Sequence, residues 1–202
     1  MAAGVATSMA QSNVYSLNVV GYVSKTIDGT APGKFSMVAN PLNTTNNTLN
    51  NLINGPQVPL GANFYRWNGS GFDIATYFGS WDNNYSLPPG EGGFFLTDTK
   101  FTNTFVGEVM QGPLTNSFPA GFSIKASQVP QTGDLDTLGL SAALQPADTI
   151  YLWNFGTQSF VIYTYFGSPG SWDPSPPSVT VGDSFFINAS APGKWVRNFT
   201  VQ

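Results

Sequence analysis

Short apolar segments separated by turn residues run along the whole chain, and they predict strands rather than helices. Residues 72–78 alternate between two faces, and residues 160–166 repeat this alternation. A period of two is typical of a β-strand whose faces have different surroundings. Residues 64–67 precede the first alternating segment, and the Asn68-Gly69 dipeptide between them predicts a β-hairpin. The residues that share one face are Phe72, Ile74, Thr76 and Phe78 in the first segment and Phe160, Ile162, Thr164 and Phe166 in the second.

Turn-forming residues are too frequent for long helices. The chain contains 22 Gly and 15 Pro, and both interrupt helices. The only helix candidates are short, at residues 48–53 and 135–138. The predicted fold is therefore all-β with only short helical turns.

Several short motifs occur twice in the same order, at offsets of 86 to 91 residues. This period is too long for one coil of a solenoid and suits a duplicated small β domain. We therefore expect two tandem homologous units, each a β-sandwich or open barrel. The matched segments are 35–39 with 122–126, 64–68 with 150–154, 76–79 with 164–167, 79–82 with 170–173, and 94–96 with 185–187.

The duplication predicts the domain boundaries. Residues 19–23 resemble residues 105–109, so the second stretch is expected to be an equivalent opening strand at the junction where the second unit begins. We assign 1–10 to a signal-peptide remnant or leader, 11–109 to the first repeat unit, and 110–202 to the second.

Composition excludes several classes of function. Charged residues make up only 9% of the chain and the net charge is −4, without any basic cluster that could neutralise nucleic-acid phosphates. The chain has no Cys and no His, which excludes disulfides, thiol catalysis and the usual zinc sites. No motif indicates a cofactor, and we expect no enzyme activity.

The first ten residues predict export. They are small and uncharged and end in Ser8-Met9-Ala10, which is typical of the end of a secretory signal peptide. No run of 18 apolar residues follows, so the sequence predicts no membrane span. We expect a secreted protein, outside the cell or on its surface.

Two loops carry acidic residues, and both allow an alternative interpretation. Asp82 with Glu91, and Asp173 with Asp183, could serve as carboxylate pairs in a glycosidase, and oxygen atoms near Asp82 could bind calcium. Because each first Asp follows a Trp in a turn, capping of nearby backbone N–H groups is the favoured interpretation.

Loop aromatics allow a second function, the binding of surface glycans. Trp81 and Trp172 lie in Gly-rich loops, with Tyr85 close by, and such rings can stack on sugars. The competing interpretation is that each Trp covers its own core. Trp67 and Trp153, within strands, are expected to be core residues.

The opening segment, residues 14–23, is long, strand-forming and uncharged. It either pairs within its own unit or adds as a strand to a neighbouring copy, because free backbone groups at an edge recruit other chains. Head-to-tail contacts that do not close generate filaments. The favoured function is therefore a subunit of an extracellular filament or surface assembly, whose partners are copies of itself. The candidate interface residues are Val14, Tyr15, Leu17, Val19, Val20, Tyr22, Val23, Phe199 and Val201.

A family resemblance rests on the same opening segment. Residues 14–23 (VYSLNVVGYV), followed by Phe35 and by Ala39-Asn40-Pro41-Leu42, resemble a group of secreted proteins common in Verrucomicrobia and related bacteria. The resemblance covers nearly the whole chain. It implies export from a bacterial cell and a β-rich repeat, and it implies no catalytic residues.

Overall fold

The fold was analysed in a computed structural model that describes residues 19–168 and 170–201. The helical content of these residues is one short α-helix, α1 (Leu49–Leu52), and a 3-10 turn at Ser141–Ala143, so the all-β prediction is confirmed. Residues 135–138 form a turn, and the helix predicted there is absent. The strands are β1 (Val20–Ala39), β2 (Asn63–Trp67), β3 (Phe72–Thr76), β4 (Gly92–Glu108), β5 (Gly112–Phe118), β6 (Gly121–Ala126), β7 (Gly133–Asp134), β8 (Thr149–Asn154), β9 (Ser159–Tyr165), β10 (Trp172–Asp173), β11 (Ser178–Val179), β12 (Ser184–Ala189) and β13 (Gly193–Phe199).

The fold is built around two larger antiparallel sheets. One has the strand order β1-β4-β2-β3, and the other has the order β10-β9-β8-β12-β6. Two smaller two-stranded sheets pair β5 with β13 and β7 with β11. The amino-terminal half (residues 19–109) contains the first larger sheet, and the carboxy-terminal half (residues 110–201) contains the other three.

The described buried apolar residues form three clusters. One fills the amino-terminal half around Phe64 and Phe95, and one fills the carboxy-terminal half around Ile150 and Phe185. The third lies between the two larger sheets and contains Phe94 of β4. Because successive side chains of a strand point to opposite faces, β4 contributes Phe95 to one cluster and Phe94 to the next. The two larger sheets therefore face each other across the third cluster.

The predicted hairpin is present, but its turn differs from the expectation. Trp67 pairs with Phe72, which leaves a loop of four residues rather than a two-residue turn. The side chain of Asn68 fixes this loop, since its Oδ1 accepts hydrogen bonds from the backbone N–H groups of Ser70 and Gly71. In the carboxy-terminal half, Asn154 Oδ1 accepts from Thr157 N in the matching loop.

Asn40 holds the long loop that follows β1. It is fully buried, and its Nδ2 donates to Asn47 Oδ1 and to the carbonyl oxygen of Leu87 at 3.1 and 3.0 Å. Its Oδ1 accepts from the backbone N–H of Leu42. One amide side chain thus satisfies polar groups of Leu42 and Asn47 in this loop and of Leu87 in the loop before β4, and so connects the two loops.

We expect Asn40→Ala to lower the free energy of unfolding by about 3 kcal/mol, because it leaves several buried polar groups without partners. Asn46→Ala is the matched control. Asn46 is exposed in the same loop, and its removal is expected to cost less than about 0.5 kcal/mol. Urea denaturation of the two variants measures the difference, and equal stabilities would contradict this role of Asn40.

Candidate functional site

The described part of the predicted interface pairs within its own chain. Along β1, Val20 lies opposite Glu108 of β4, Tyr22 opposite Val106 and Val23 opposite Phe105. Just before β1, the carbonyl oxygen of Val19 accepts a hydrogen bond from Val109 N. The expectation that residues 105–109 are an equivalent opening strand is therefore wrong, because this stretch ends β4. Val14, Tyr15 and Leu17 lie outside the described residues.

The predicted interface residues at the end of the chain also have partners in their own chain. Phe199, the last residue of β13, pairs with Gly112 of β5. The backbone N–H of Val201 donates to Gln111 Oε1 at 3.1 Å. These contacts hold the end of the chain against β5.

The two loop tryptophans lie inside the protein and cannot form a sugar-binding surface. Trp81 is 3% exposed and its Nε1 donates to the carbonyl oxygen of Ile53, while Trp172 is 7% exposed and donates to Asp136 Oδ1. The ring of Tyr85 stacks under the guanidinium of Arg66 at 4.4 Å. The prediction that these rings stack on sugars is therefore wrong for both tryptophans, which instead cover the cores of their own halves.

Three of the four candidate acidic residues, Asp82, Glu91 and Asp183, have hydrogen-bond or ion-pair partners within the chain. Asp82 Oδ1 accepts hydrogen bonds from the backbone N–H groups of Thr76 and Asn83. Glu91 forms an ion pair with Lys125, and Asp183 forms one with Lys25. These two ion pairs connect the two halves of the chain. Within residues 19–168 and 170–201, no three acidic, His or Cys side chains gather in a set that could hold a metal ion.

Reciprocal tryptophan contacts join the two larger sheets. Trp67 Nε1 donates to the carbonyl oxygen of Phe122 at 2.9 Å, and Trp153 Nε1 donates to the carbonyl oxygen of Phe35 at 2.7 Å. Both indoles are half-buried. The expectation that Trp67 and Trp153 are core residues is met in part, since both half-buried indoles pack against the third cluster and each reaches across to the opposite half.

An open pocket remains between the sheets, beside these contacts. Its volume is about 310 Å³, and we call it the aromatic cleft. Phe72 and Phe160 stand at its rim, with exposed fractions of 40% and 36%. The cleft is lined entirely by aromatic side chains, namely Phe35, Tyr65, Phe72, Phe94, Trp153, Phe160 and Phe186. A wall without polar groups suits apolar contacts and offers no hydrogen bonds for a sugar.

The edge strand β3 of the first larger sheet is covered by the loop that follows it. The backbone N–H of Thr76 donates to Asp82 Oδ1, and the carbonyl oxygen of Ile74 accepts from Asn83 Nδ2 and from the hydroxyl of Tyr85 at 3.2 and 3.3 Å. The side chains of this loop therefore form hydrogen bonds with outward-pointing backbone groups of β3. Few of these groups remain available to pair with a further strand.

A charged pair also protects this edge. Asp73 of β3 accepts a hydrogen bond from Arg66 of β2, and the two residues lie directly opposite each other. Hydrogen bonds from Arg66 and from the Asn68 side chain hold the pKa of Asp73 below its ordinary value. Asp73 therefore stays charged at neutral pH. A charge on an edge strand opposes the addition of a further strand.

The corresponding edge of the second larger sheet, at β9, has neither protection. Leu152 and Val161 form the pair next to Trp153 and Phe160, in the place that Arg66 and Asp73 take next to Trp67 and Phe72. The loop after Trp172 also differs. It reads Asp-Pro-Ser-Pro-Pro, so prolines stand where the first loop has Asn83 and Tyr85. Proline has no side-chain donor and cannot bond to an edge carbonyl.

This open edge was not predicted, although two signals in the sequence indicate it. Asn83 and Tyr85 of the first Trp-Asp loop are replaced by Pro in the second, and the Arg–Asp pair of the first hairpin is replaced by Leu and Val. No comparable pattern in the amino-acid sequence indicated the aromatic cleft. Its lining residues come from seven strands, and their proximity depends on how the two sheets face each other.

Comparisons of the chain with protein-family models, with curated proteins and with solved structures find no match. Among the residues that the structure describes, no helix has the length and apolar character to cross a membrane.

Proposed function

We propose that this chain is a non-catalytic structural subunit of an extracellular filament or surface assembly, in which copies join head to tail by β-strand addition. The observation that supports the proposal is the uncharged stretch of β9 from Ser159 to Tyr163, which the short strand β10 leaves unpaired on its outer side. Soluble proteins usually protect such edges with charges, prolines or covering loops, and unprotected edges recruit other chains. Strand addition requires an exposed sheet edge. The second larger sheet offers one at β9, whereas the β3 edge of the first larger sheet is covered.

The proposal includes the tandem duplication. In support, β1, β4, β2 and β3 are adjacent in the same order as β6, β12, β8 and β9. The Trp67 and Trp153 hydrogen bonds are reciprocal between the halves, as expected for two copies of one unit that face each other. Among the described strands of the two larger sheets, β9 keeps an open edge where its counterpart β3 is covered, and one acceptor for each subunit favours a linear chain of subunits.

Composition supports an extracellular, polymeric role. With 9% charged residues, close association of copies meets little electrostatic repulsion. The signal-like first ten residues and the resemblance to secreted bacterial proteins are consistent with export. Glycan binding is not proposed as a second function, because Trp81 and Trp172 are buried.

The proposal predicts association that depends on concentration and on the opening segment. Sedimentation velocity of the full chain should show species growing beyond the monomer as its concentration rises, and electron microscopy should show extended particles. Leu17→Lys should reduce this association by about tenfold or more in apparent affinity, since a lysine charge opposes strand pairing. Ala191→Lys, in the exposed loop between β12 and β13, is the control and should associate like the unaltered chain.

A chain that stays monomeric at every accessible concentration would contradict the proposal. So would equal loss of association in Leu17→Lys and Ala191→Lys, because net charge alone would then explain the effect.

A further inference from the structure

We infer that the acceptor for strand addition is the outer edge of β9, and that the strand it receives is residues 12–18 of a neighbouring copy. This inference rests on the proposed function and assigns both partners of its contact. It gives β9 a role that β3, the corresponding strand of the amino-terminal half, does not have.

The direction of the backbone groups identifies the acceptor atoms. Tyr165 uses both its N–H and its carbonyl oxygen towards β8, through Asp148 O at 2.9 Å and Ala147 N at 2.7 Å. Neighbouring residues of an antiparallel strand point their backbone groups to opposite sides. The N–H and C=O groups of Phe160 and Ile162 therefore point outward.

The short strand β10 covers only the end of this edge. It pairs Trp172 with Tyr165 and Asp173 with Thr164, and it does not reach Ile162. Among the described residues, no hydrogen bond joins the outward backbone groups of Phe160 or Ile162 to another segment. Both side chains are also exposed, Ile162 to 51%. An extended peptide is the partner that matches a row of free N–H and C=O groups.

The other edges of the larger sheets fit this role less well. The β6 edge already meets the amino-terminal half, because Ala126 N donates to Gly90 O and the carbonyl oxygen of Phe122 accepts from Trp67. The β1 edge carries Lys25 and has two register shifts between Ile27 and Lys34. Lysines and bulges are common protections of an edge strand. The β3 edge is covered by the loop at Asp82 to Tyr85.

Residues 12–18 fit the open stretch of β9 in length. Val19 is held in the amino-terminal half through its bond to Val109, so the donor segment is attached to the body of its own subunit at this residue. Seven extended residues span about 23 Å, and five residues of β9, from Ser159 to Tyr163, span about 17 Å. The segment is therefore long enough to cover the whole open edge.

The side-chain pattern of residues 12–18 also fits. The segment reads Ser-Asn-Val-Tyr-Ser-Leu-Asn and carries no charge. In a strand, Tyr15 and Leu17 share one face. On β9, Phe160 and Ile162 share the face that borders the aromatic cleft. Placing Tyr15 and Leu17 beside them would extend this apolar wall and shield Phe160 and Ile162 from water.

Cysteine cross-linking tests the pairing directly, because the unaltered chain has no Cys. Single-cysteine variants Tyr15→Cys and Leu17→Cys are each mixed with Ile162→Cys, with Ile74→Cys on the covered β3 edge, or with Ser24→Cys on the β1 edge. Mild oxidation should yield mixed disulfide dimers with Ile162→Cys at least about tenfold more often than with the other two, since a disulfide needs closely placed Cβ atoms.

Two lysine substitutions, one at the β9 edge and one at the β3 edge, give the second test. Ile162→Lys should raise the concentration needed for half-association by about tenfold or more, because strand addition would desolvate the ammonium group. Ile74→Lys places the same charge on the covered edge, on a side chain that is 46% exposed, and should change this concentration less than about twofold. Both substituted side chains are exposed, so thermal unfolding should remain within a few degrees of the unaltered chain.

The outcomes separate this inference from the proposed function. Association with cross-links mainly to Ser24→Cys or Ile74→Cys would overturn the assignment of β9 and leave the filament proposal in place. Association that resists Ile162→Lys would also overturn it. A chain that never associates would overturn both.

Discussion

Gly92→Ala is expected to lower the free energy of unfolding by about 3 kcal/mol, although it adds a single methyl group. Gly92 lies at the start of β4, where the two larger sheets meet. A Cβ atom built there would overlap Cβ of Ser184, lie 2.5 Å from Ser184 Oγ and lie 3.1 Å from Ile124 Cγ2. Ser184 belongs to β12 in the opposite half, so the added methyl group forces the sheets apart. Urea denaturation followed by tryptophan fluorescence measures the loss.

A second substitution tests the cause of this effect. Ser184→Gly removes the atoms that the new methyl group meets, so Gly92→Ala with Ser184→Gly should recover about 2 kcal/mol relative to the sum of the single variants. Gly71→Ala is the control, because a Cβ there meets nothing within 4 Å. A loss at Gly92 no larger than at Gly71, or the absence of any recovery, would contradict this contact between the sheets.

Trp153→Ala is expected to cost about 3 kcal/mol and to open the aromatic cleft. Its indole ring lies 5.2 Å from Phe94 and 4.9 Å from Phe160, measured between ring centroids, and Nε1 donates to Phe35 O. The substitution removes the ring contacts and the hydrogen bond together. Because Trp153 connects β8 to the amino-terminal half, we expect the loss to appear as weaker coupling of the two halves during unfolding.

Trp153→Phe separates the two contributions. It keeps an aromatic ring and loses the hydrogen bond, while Phe35 O still accepts from Gln158 Nε2 at 3.1 Å, so the cost should be about 1 kcal/mol. Calorimetry of the two variants gives both values. If the alanine variant were no less stable than the phenylalanine variant, the ring would contribute nothing to the junction between the sheets.

Local patterns predicted the strands well. The alternation in residues 72–78 corresponds to β3, where Ala75 is buried and Phe72 and Ile74 are partly exposed. Similarly, the Asn68-Gly69 dipeptide marked a hairpin. Such features depend on neighbouring residues in the sequence, so the sequence alone carries them.

A one-residue error in the predicted match of two sequence motifs shows where sequence reasoning failed. The motif match placed Phe94 with Phe185, but in the sheets Phe94 pairs with Tyr65 as Phe186 pairs with Tyr151. A shift by one residue moves a side chain to the opposite face of a strand. The aromatic cleft could not be predicted from the incorrect register, because that register places Phe186 in the core of its own half.

The pairing of the opening strand also required the structure. Residues 19–23 and 105–109 have similar sequences, which suggested equivalent places in two units. They are instead antiparallel neighbours in β1 and β4. Two apolar strands that pair with each other face the same surroundings, so similar composition does not distinguish a partner from a copy.

The most direct test of the proposed assembly is an electron cryomicroscopy reconstruction of the associated protein. We expect a linear, head-to-tail repeat in which residues 12–18 of one subunit form a strand beside Phe160 and Ile162 of the next. Particles that close as symmetric dimers, or a repeat in which the β9 edge remains bare, would contradict head-to-tail strand addition at this edge.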